Sequence, residues 1–195
     1  MLIGLTGGIA SGKSTVAQTL REMGLPVFDA DEVSRQAVKN GSKGLELVIA
    51  AFGKEYLDND RNLNRAKIAE LVFNNKEALS TLEGIIHKVV WREAENFLEL
   101  HRDAKLLVLD VPLLIECGWH KNVDQVWLVA VAPEVQIVRA MKRSGMTRQE
   151  VVDRINSQMT LSEKKQYADF IIDNSGKLED TMAVVRAKVR ELLGE

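Results

Sequence analysis

The chain has very little cysteine and almost no net charge. Cys117 is the only cysteine among 195 residues, so no internal disulfide is possible and a reducing compartment is expected. Lysine and arginine together number 26, aspartate and glutamate 28, and the net charge is −2. Non-specific nucleic-acid binding needs a strong positive field, so no nucleic-acid partner is expected.

Long apolar runs are also missing. No segment approaches the roughly 20 apolar residues that a membrane-spanning helix needs. The first six residues are apolar but lack the basic region that opens a signal peptide. These absences predict a cytoplasmic protein without a membrane partner. The 46% apolar and 28% charged content, without repeats or low-complexity stretches, is that of a single globular domain.

The order of the predicted elements indicates an α/β fold. A strand at 2–6, a helix at 13–23 and a strand at 25–28 are joined by short links, and this βαβ unit implies a parallel sheet. Further apolar strands are expected at 105–110, 125–132 and 169–173. The prediction is therefore a five-stranded parallel sheet flanked by helices.

Residues 32–104 interrupt this pattern and are predicted to be mostly helical. Apolar residues recur at helical spacing from Leu79 to Phe97, which predicts one long amphipathic helix. We expect these residues to form an insertion over one end of a core made of 1–31 and 105–195. Another helix should start at the capping box of Thr147 and Glu150 and run as far as Met159.

Residues 7–14 match the pattern G-x-x-x-x-G-K-[ST] in full. Its glycines let the backbone wrap an anion, Lys13 can reach the β- and γ-phosphates, and the Ser14 hydroxyl can bind Mg²⁺. A strand before the motif and a helix after it favour this interpretation over a glycine-rich turn without a ligand. The predicted nucleotide-binding residues of the loop are Gly8, Ala10, Ser11, Gly12, Lys13, Ser14 and Thr15.

Three aspartates are expected at the same sheet edge as the loop, because ligands bind at the carboxyl ends of parallel strands. Asp29 and Asp31 follow the second strand, and at positions i and i+2 of an extended segment they point the same way. A carboxylate there can accept a hydroxyl proton, although Asp is also a common helix cap. Asp110 ends the next strand and is either a Mg²⁺ ligand or part of a turn before Pro112.

Several other polar residues have weaker patterns. Arg139 and Arg143 share a helix face and can stabilise a transferring phosphoryl group, or simply form a solvated basic face. His87 follows an apolar helix position, which is equally typical of a packed or surface histidine. Cys117 and His120 have a metal-like spacing, but no second pair of ligands lies nearby, so no zinc site is predicted.

Taken together, these stretches resemble the dephospho-coenzyme A kinase family over nearly the whole chain. The family fold is a P-loop kinase core with a helical substrate-binding insertion and a lid, here about residues 139–162. The resemblance implies transfer of the γ-phosphate of ATP, with Mg²⁺, to the ribose 3′-hydroxyl of dephospho-coenzyme A. The matching stretches are residues 3–14, 29–31, 111–116, 154–158 and 172–176.

The resemblance also implies roles for particular residues. Asp31 matches the carboxylate that accepts or orients the hydroxyl proton, and Arg139 matches a lid arginine facing the phosphates. Asn174 lies in the segment that skirts the adenine, and His87 matches a histidine near the substrate. The remaining predicted contacts are Arg143 for ATP, with Thr6, Asp29 and Leu113 for dephospho-coenzyme A.

Two positions depart from the family pattern. Ala10 stands where glycine is frequent; alanine tolerates most backbone angles except positive φ, and we expect ATP binding to survive. Lys88 stands where proline often follows the histidine, which weakens the assignment of His87 as a ligand.

Two other functions fit parts of the pattern. One is a P-loop kinase that acts on shikimate or a nucleoside monophosphate. The other is a GTPase or nucleotide-gated binding module. A GTPase is expected to carry Asn-Lys-x-Asp, and the nearest match, residues 75–78, lacks the aspartate.

A monomer or a weak homo-oligomer is expected.

Overall fold

The predicted five-stranded parallel sheet is confirmed in the computed structural model, which describes all 195 residues. The strands are β1 (Leu2–Gly7), β2 (Val27–Asp29), β3 (Leu107–Asp110), β4 (Gln125–Ala130) and β5 (Phe170–Asp173). They lie in the order β2-β3-β1-β4-β5. Leu5 of β1 is in register with Asp110 of β3 and Trp127 of β4, so the phosphate-loop motif follows the central strand.

The chain divides into two compact units, residues 1–28 with 101–195 and residues 29–100. The first unit contains the helices α1 (Lys13–Glu22), α6 (Pro133–Ser144), α7 (Arg148–Asn156), α8 (Leu161–Lys165) and α9 (Leu178–Leu193). Its main core is continuous from β1 and β4 to α1 and α9, and Trp127 is fully buried in it. Strands buried on both faces explain the unbroken apolar runs of the sequence.

The second unit is helical. It consists of α2 (Ala30–Gln36), α3 (Lys43–Phe52), α4 (Arg65–Asn74) and α5 (Lys76–Leu100), with a 3₁₀ turn at 54–56. The long amphipathic helix predicted around Leu79 to Phe97 is confirmed as α5, and its apolar face packs against a core centred on Val48. None of the helices in the chain is long and apolar enough to cross a membrane.

The helix predicted to run from Thr147 to Met159 ends earlier. The capping box of Thr147 and Glu150 is present and opens α7, but α7 stops at Asn156. A second capping box, formed by Thr160 and Glu163, then opens the short helix α8. Met159 therefore lies between two helices, because the later cap satisfies a new set of backbone N–H groups.

An ion pair between a buried lysine and a more exposed glutamate fastens α8 to the loop after β3. Lys164 is only 2% exposed, and its Nζ lies 2.7 Å from Glu116 Oε1. The atoms are close, but the angle is not that of a hydrogen bond. Charges taken out of water need a partner, so this contact should matter more than the exposed ion pairs of the chain.

Glu116→Gln is expected to destabilise the protein by about 2–4 kcal/mol, because it leaves the Lys164 ammonium buried without a counter-charge. The matched control is Glu191→Gln, which breaks the Lys188–Glu191 pair at a carboxylate that is 66% exposed and should cost less than about 1 kcal/mol. Chemical denaturation of both variants measures the difference. Equal losses in the free energy of unfolding would show that the burial of Lys164 does not make its ion pair more stabilising than an exposed one.

Candidate nucleotide-binding site

The motif at 7–14 forms a tight loop between the central strand and α1. Gly12 caps α1 at φ 91°, in the left-handed region that favours glycine. Within the loop, Ser11 N–H donates to the Gly8 carbonyl at 3.1 Å. Because α1 starts at Lys13, its N-terminal dipole is directed at the loop and favours an anion there.

Ala10, the position where the related family often has glycine, also has a positive φ of 54°. This conformation costs an alanine about 1–2 kcal/mol. The methyl group lies against a small core of α6 and α7 residues that includes Ile137 and Val151. Burial of one carbon contributes at most roughly 0.8 kcal/mol, and Ala10 is only partly buried, so part of the backbone strain remains.

Lys13 and Asp110 form an ion pair at the start of α1. Lys13 Nζ donates to Asp110 Oδ1 in close contact. Asp110 is 4% exposed and ends β3, beside the central strand. The two residues that the sequence assigned separately to phosphate and to Mg²⁺ are thus brought together, and the lysine neutralises the carboxylate in this structure.

The other predicted contacts from the sheet edge have different surroundings. Thr6 is fully buried, and its hydroxyl donates to the Pro112 carbonyl at 2.8 Å. Leu113, in the same turn, is exposed. Ser14 is exposed in the first turn of α1, whereas Thr15 N–H donates to the Gly12 carbonyl at 3.0 Å.

Asn174 is almost fully buried and joins β5 to the phosphate loop. Its side-chain Nδ2 donates to the Ser11 carbonyl at 2.8 Å, and its backbone carbonyl accepts from Arg139 Nη1 at 2.9 Å. Both residues therefore belong to the surroundings of the loop, while Arg143, one turn further along α6, is exposed. The family resemblance assigned Asn174 and Arg139 to the nucleotide, and in this structure their polar atoms bind backbone.

One contact of the loop was missed in the sequence. Gln136, in the first turns of α6, donates from Nε2 to the Ile9 carbonyl at 2.8 Å. No motif signals such a residue, because its partner is a backbone atom far away in the chain.

Next to Asn174, hydrogen bonds from Ser175 hold the pKa of Asp173 below its usual range.

The predicted carboxylates after β2 lie in the helical unit. Asp29 caps α2 and accepts from Glu32 N–H at 2.9 Å. The helix starts at Ala30, so the expectation that Asp29 and Asp31 point the same way in an extended segment is wrong. Asp31 is instead exposed in the first helical turn, where residues two apart do not share a face. His87 is exposed on α5.

The helical unit also contains an open pocket of about 750 Å³. Its lining is mostly polar and includes the basic side chains of Arg35, Lys39 and Arg65. Arg35 is held by Glu32 at 2.7 Å, and hydrogen bonds from Arg35 and Gln36 lower the pKa of the Glu32 carboxyl. A pocket of this size accepts a small organic ligand.

A complete phosphate loop after the central strand of a parallel sheet, with an aspartate at the end of the neighbouring strand, defines the class: the chain is a P-loop kinase in fold. Shikimate kinase from Acinetobacter baumannii has the same fold, with a TM-score of 0.54 at 15% identity, covering 99% of this chain and 93% of its own.

Sequence comparison identifies the family. The chain matches the dephospho-CoA kinase family over residues 1–180 and belongs to it. The dephospho-CoA kinases of Carboxydothermus hydrogenoformans and Geobacillus kaustophilus are 43% and 42% identical to it, over 92% and 98% of this chain and 88% and 96% of their own. The resemblance inferred from the motifs is therefore confirmed.

Two solved structures are similar to the chain over nearly its whole length. A protein from Thermus thermophilus is 39% identical and superposes with a TM-score of 0.82, covering 98% of this chain and 97% of its own. The dephospho-CoA kinase of Campylobacter jejuni is 27% identical, with a TM-score of 0.74 and coverages of 98% and 96%.

Proposed function

We propose that the chain transfers the γ-phosphate of ATP to the ribose 3′-hydroxyl of dephospho-CoA, giving CoA and ADP. The observation that carries this proposal is the phosphate loop with Lys13 and Asp110 at its helix start, in a chain of the dephospho-CoA kinase family. The single cysteine favours a reducing compartment, and we place the enzyme in the cytoplasm as a monomer or weak homo-oligomer.

Lys13 has two partners in this proposal. Without nucleotide it is paired with Asp110, as in the structure. When ATP binds, its ammonium group moves to the β- and γ-phosphates, where it stabilises the negative charge of the transferring group. This exchange separates the Asp110 carboxylate from Lys13. Before nucleotide binds, the ion pair thus keeps the Lys13 ammonium and the Asp110 carboxylate beside the loop.

The residues at the loop fit Mg²⁺. This ion takes oxygen ligands, keeps several waters and is commonly held by one or two protein groups together with substrate phosphates. The Ser14 hydroxyl and the Asp110 carboxylate are oxygen donors of that kind. No group of three or more acidic, His or Cys side chains is placed to hold a metal ion, so phosphate oxygens would complete the set. When bound with ATP, the ion supplies positive charge to the phosphates.

Asp31 is our proposed acceptor or orienting group for the 3′-hydroxyl proton. It is an exposed carboxylate in the first turn of α2, directly after a strand of the parallel sheet. Ligands of such sheets bind at the carboxyl ends of the strands. Asp29, which already caps α2, and His87 are proposed to contact the same substrate.

The open pocket of the helical unit is our proposed site for a further part of dephospho-CoA. That substrate carries a diphosphate between its nucleoside and its pantetheine arm. Lys39 and Arg65 line the pocket and offer positive charge, while Glu32 occupies Arg35. Basic side chains of this kind recognise phosphate groups.

Residues 139–158 are proposed to act as a lid that closes over ATP. α6 and α7 are joined at Gly145, whose φ of 70° marks a turn that can absorb a backbone change. Closure would bring Arg139 and Arg143 to the phosphates and keep water from the γ-phosphate. Arg139 would then exchange the Asn174 carbonyl for a phosphate oxygen.

Arg139→Ala is expected to lower kcat by about a hundredfold or more, with little change in ATP affinity, because the arginine stabilises charge only in the closed state. Lys142→Ala is the matched control, since Lys142 is an exposed cation on the same helix, and it should leave kcat unchanged. Hydrogen exchange of residues 139–158 should slow when both substrates are bound. Equal exchange in the free and doubly bound enzyme would contradict the lid.

A substrate panel tests the proposed acceptor. ADP formation from ATP is followed with dephospho-CoA, shikimate and a nucleoside monophosphate in separate reactions. We expect turnover with dephospho-CoA alone. Turnover with shikimate or a nucleoside monophosphate would favour another small-molecule kinase, and nucleotide binding without any turnover would favour a binding module.

A further inference from the structure

Two amide side chains hold backbone carbonyls of the phosphate loop. Gln136 Nε2 donates to the Ile9 carbonyl, and Asn174 Nδ2 donates to the Ser11 carbonyl, each at 2.8 Å. The contacts leave no room for larger residues beside them. A Cβ atom at Gly8 would lie 2.8 Å from Gln136 Nε2, and one at Gly12 would overlap Asn174 Nδ2.

Because of the geometry of the peptide bond, each of these contacts also orients the N–H group of the next residue. A trans peptide is planar, and its C=O and N–H point in opposite directions. The Ile9 carbonyl shares a peptide plane with the Ala10 N–H, and the Ser11 carbonyl shares one with the Gly12 N–H. Holding each carbonyl by an amide therefore directs the following N–H to the opposite side of the loop.

The N–H groups of the loop differ in their partners. Ser11 N–H donates to the Gly8 carbonyl, whereas the N–H groups of Ala10 and Gly12 have no acceptor within the chain. Both residues have left-handed φ values, and for Ala10 that conformation is strained. A hydrogen bond to the neighbouring carbonyl opposes the rotation of the peptide that would relieve the strain.

The two amides are also connected to each other. Asn174 is fixed at β5 by its own N–H, which donates to the Ala130 carbonyl at 2.8 Å. Its carbonyl accepts from Arg139, which is three residues after Gln136 on α6. The helix α6 thus carries Gln136 and, through Arg139, also contacts Asn174.

We propose that Gln136 and Asn174 are positioning residues, which hold the Ala10 and Gly12 N–H groups toward the phosphate oxygens of the bound nucleotide. Neither amide contacts the phosphate in this arrangement, since each acts through a peptide plane of the loop. The inference rests on nucleotide binding at the loop, which is part of the proposed function. It does not depend on the identity of the acceptor.

Gln136→Met tests the proposal, because methionine has a similar length but no donor. The probe is ADP, titrated into the isotope-labelled full chain while backbone amide resonances are followed by NMR. In the parent, saturation with ADP should move the Ala10 and Gly12 amide protons downfield. In Gln136→Met, the Ala10 shift should fall by at least half and the Gly12 shift should persist. ADP should also bind roughly five- to tenfold more weakly.

Gln18→Met is the matched control, because Gln18 is exposed on α1 and its side chain donates a hydrogen bond to Glu22, away from the loop carbonyls. It should bind ADP as the parent does. A full Ala10 shift in Gln136→Met would overturn the positioning role. Gln136→Leu, which also lacks the donor and adds no charge, gives the same comparison if the methionine variant unfolds. A parent chain in which ADP moves no loop amide would contradict the proposed function itself, and the inference with it.

Discussion

Replacing Lys13 with alanine is expected to abolish phosphoryl transfer. In the proposed function the side chain is the cation that moves to the β- and γ-phosphates, and its loss should raise the barrier by several kcal/mol. Steady-state kinetics at saturating ATP and dephospho-CoA measure the effect. A variant that keeps more than about a tenth of the parental kcat would contradict an electrostatic contribution of this size.

The structure requires a control for stability in this experiment. Lys13 neutralises the buried Asp110, so its removal also leaves a carboxylate without its cation. The double variant Lys13→Met with Asp110→Asn removes both charges, and it should regain stability without regaining activity. Lys121→Ala, which removes an exposed lysine of the same unit, should leave both kcat and stability unchanged.

Asp31→Asn is expected to lower kcat by a factor on the order of 10² to 10⁴, with little effect on ATP binding. Asparagine keeps the shape of the side chain but cannot accept the hydroxyl proton. The first-turn charge of α2 is lost as well, which should cost at most about 1 kcal/mol of stability.

Asp29→Asn separates the two neighbouring carboxylates. Asparagine is as good a helix cap as aspartate, so α2 should keep its start and the loss of activity should be much smaller. If Asp31→Asn were as active as the parent and Asp29→Asn were inactive, the proton would be accepted by Asp29. Full activity of both variants would remove the general base from the mechanism.

The sheet was predictable because its strands carry a strong local signal. β3 and β4 are buried on both faces and form continuous apolar runs, and the edge strand β5 is also mostly apolar in sequence. All three lie within one residue or two of the predicted bounds. The phosphate loop was equally clear, since its pattern includes its own glycines, lysine and serine. The end of α7 was missed because the second capping box, at Thr160, was not recognised as a helix start.

The surroundings of the loop could not be read from the sequence. Gln136 and Asn174 bind carbonyl groups, and every residue has a carbonyl, so no residue pattern identifies their partners. The Lys13–Asp110 pair joins residues 97 apart, and it depends on the register of β1 and β3. The orientation of Asp31 was missed because α2 begins one residue after β2 ends.

The most direct test of the central claim is ADP release from ATP with and without dephospho-CoA, followed by analysis of the product. We expect slow ADP release with ATP alone and a large stimulation by dephospho-CoA. The product should be CoA, with its new phosphate on the ribose 3′-oxygen. ADP release that dephospho-CoA does not stimulate, or a phosphate on any other oxygen, would contradict the proposed function.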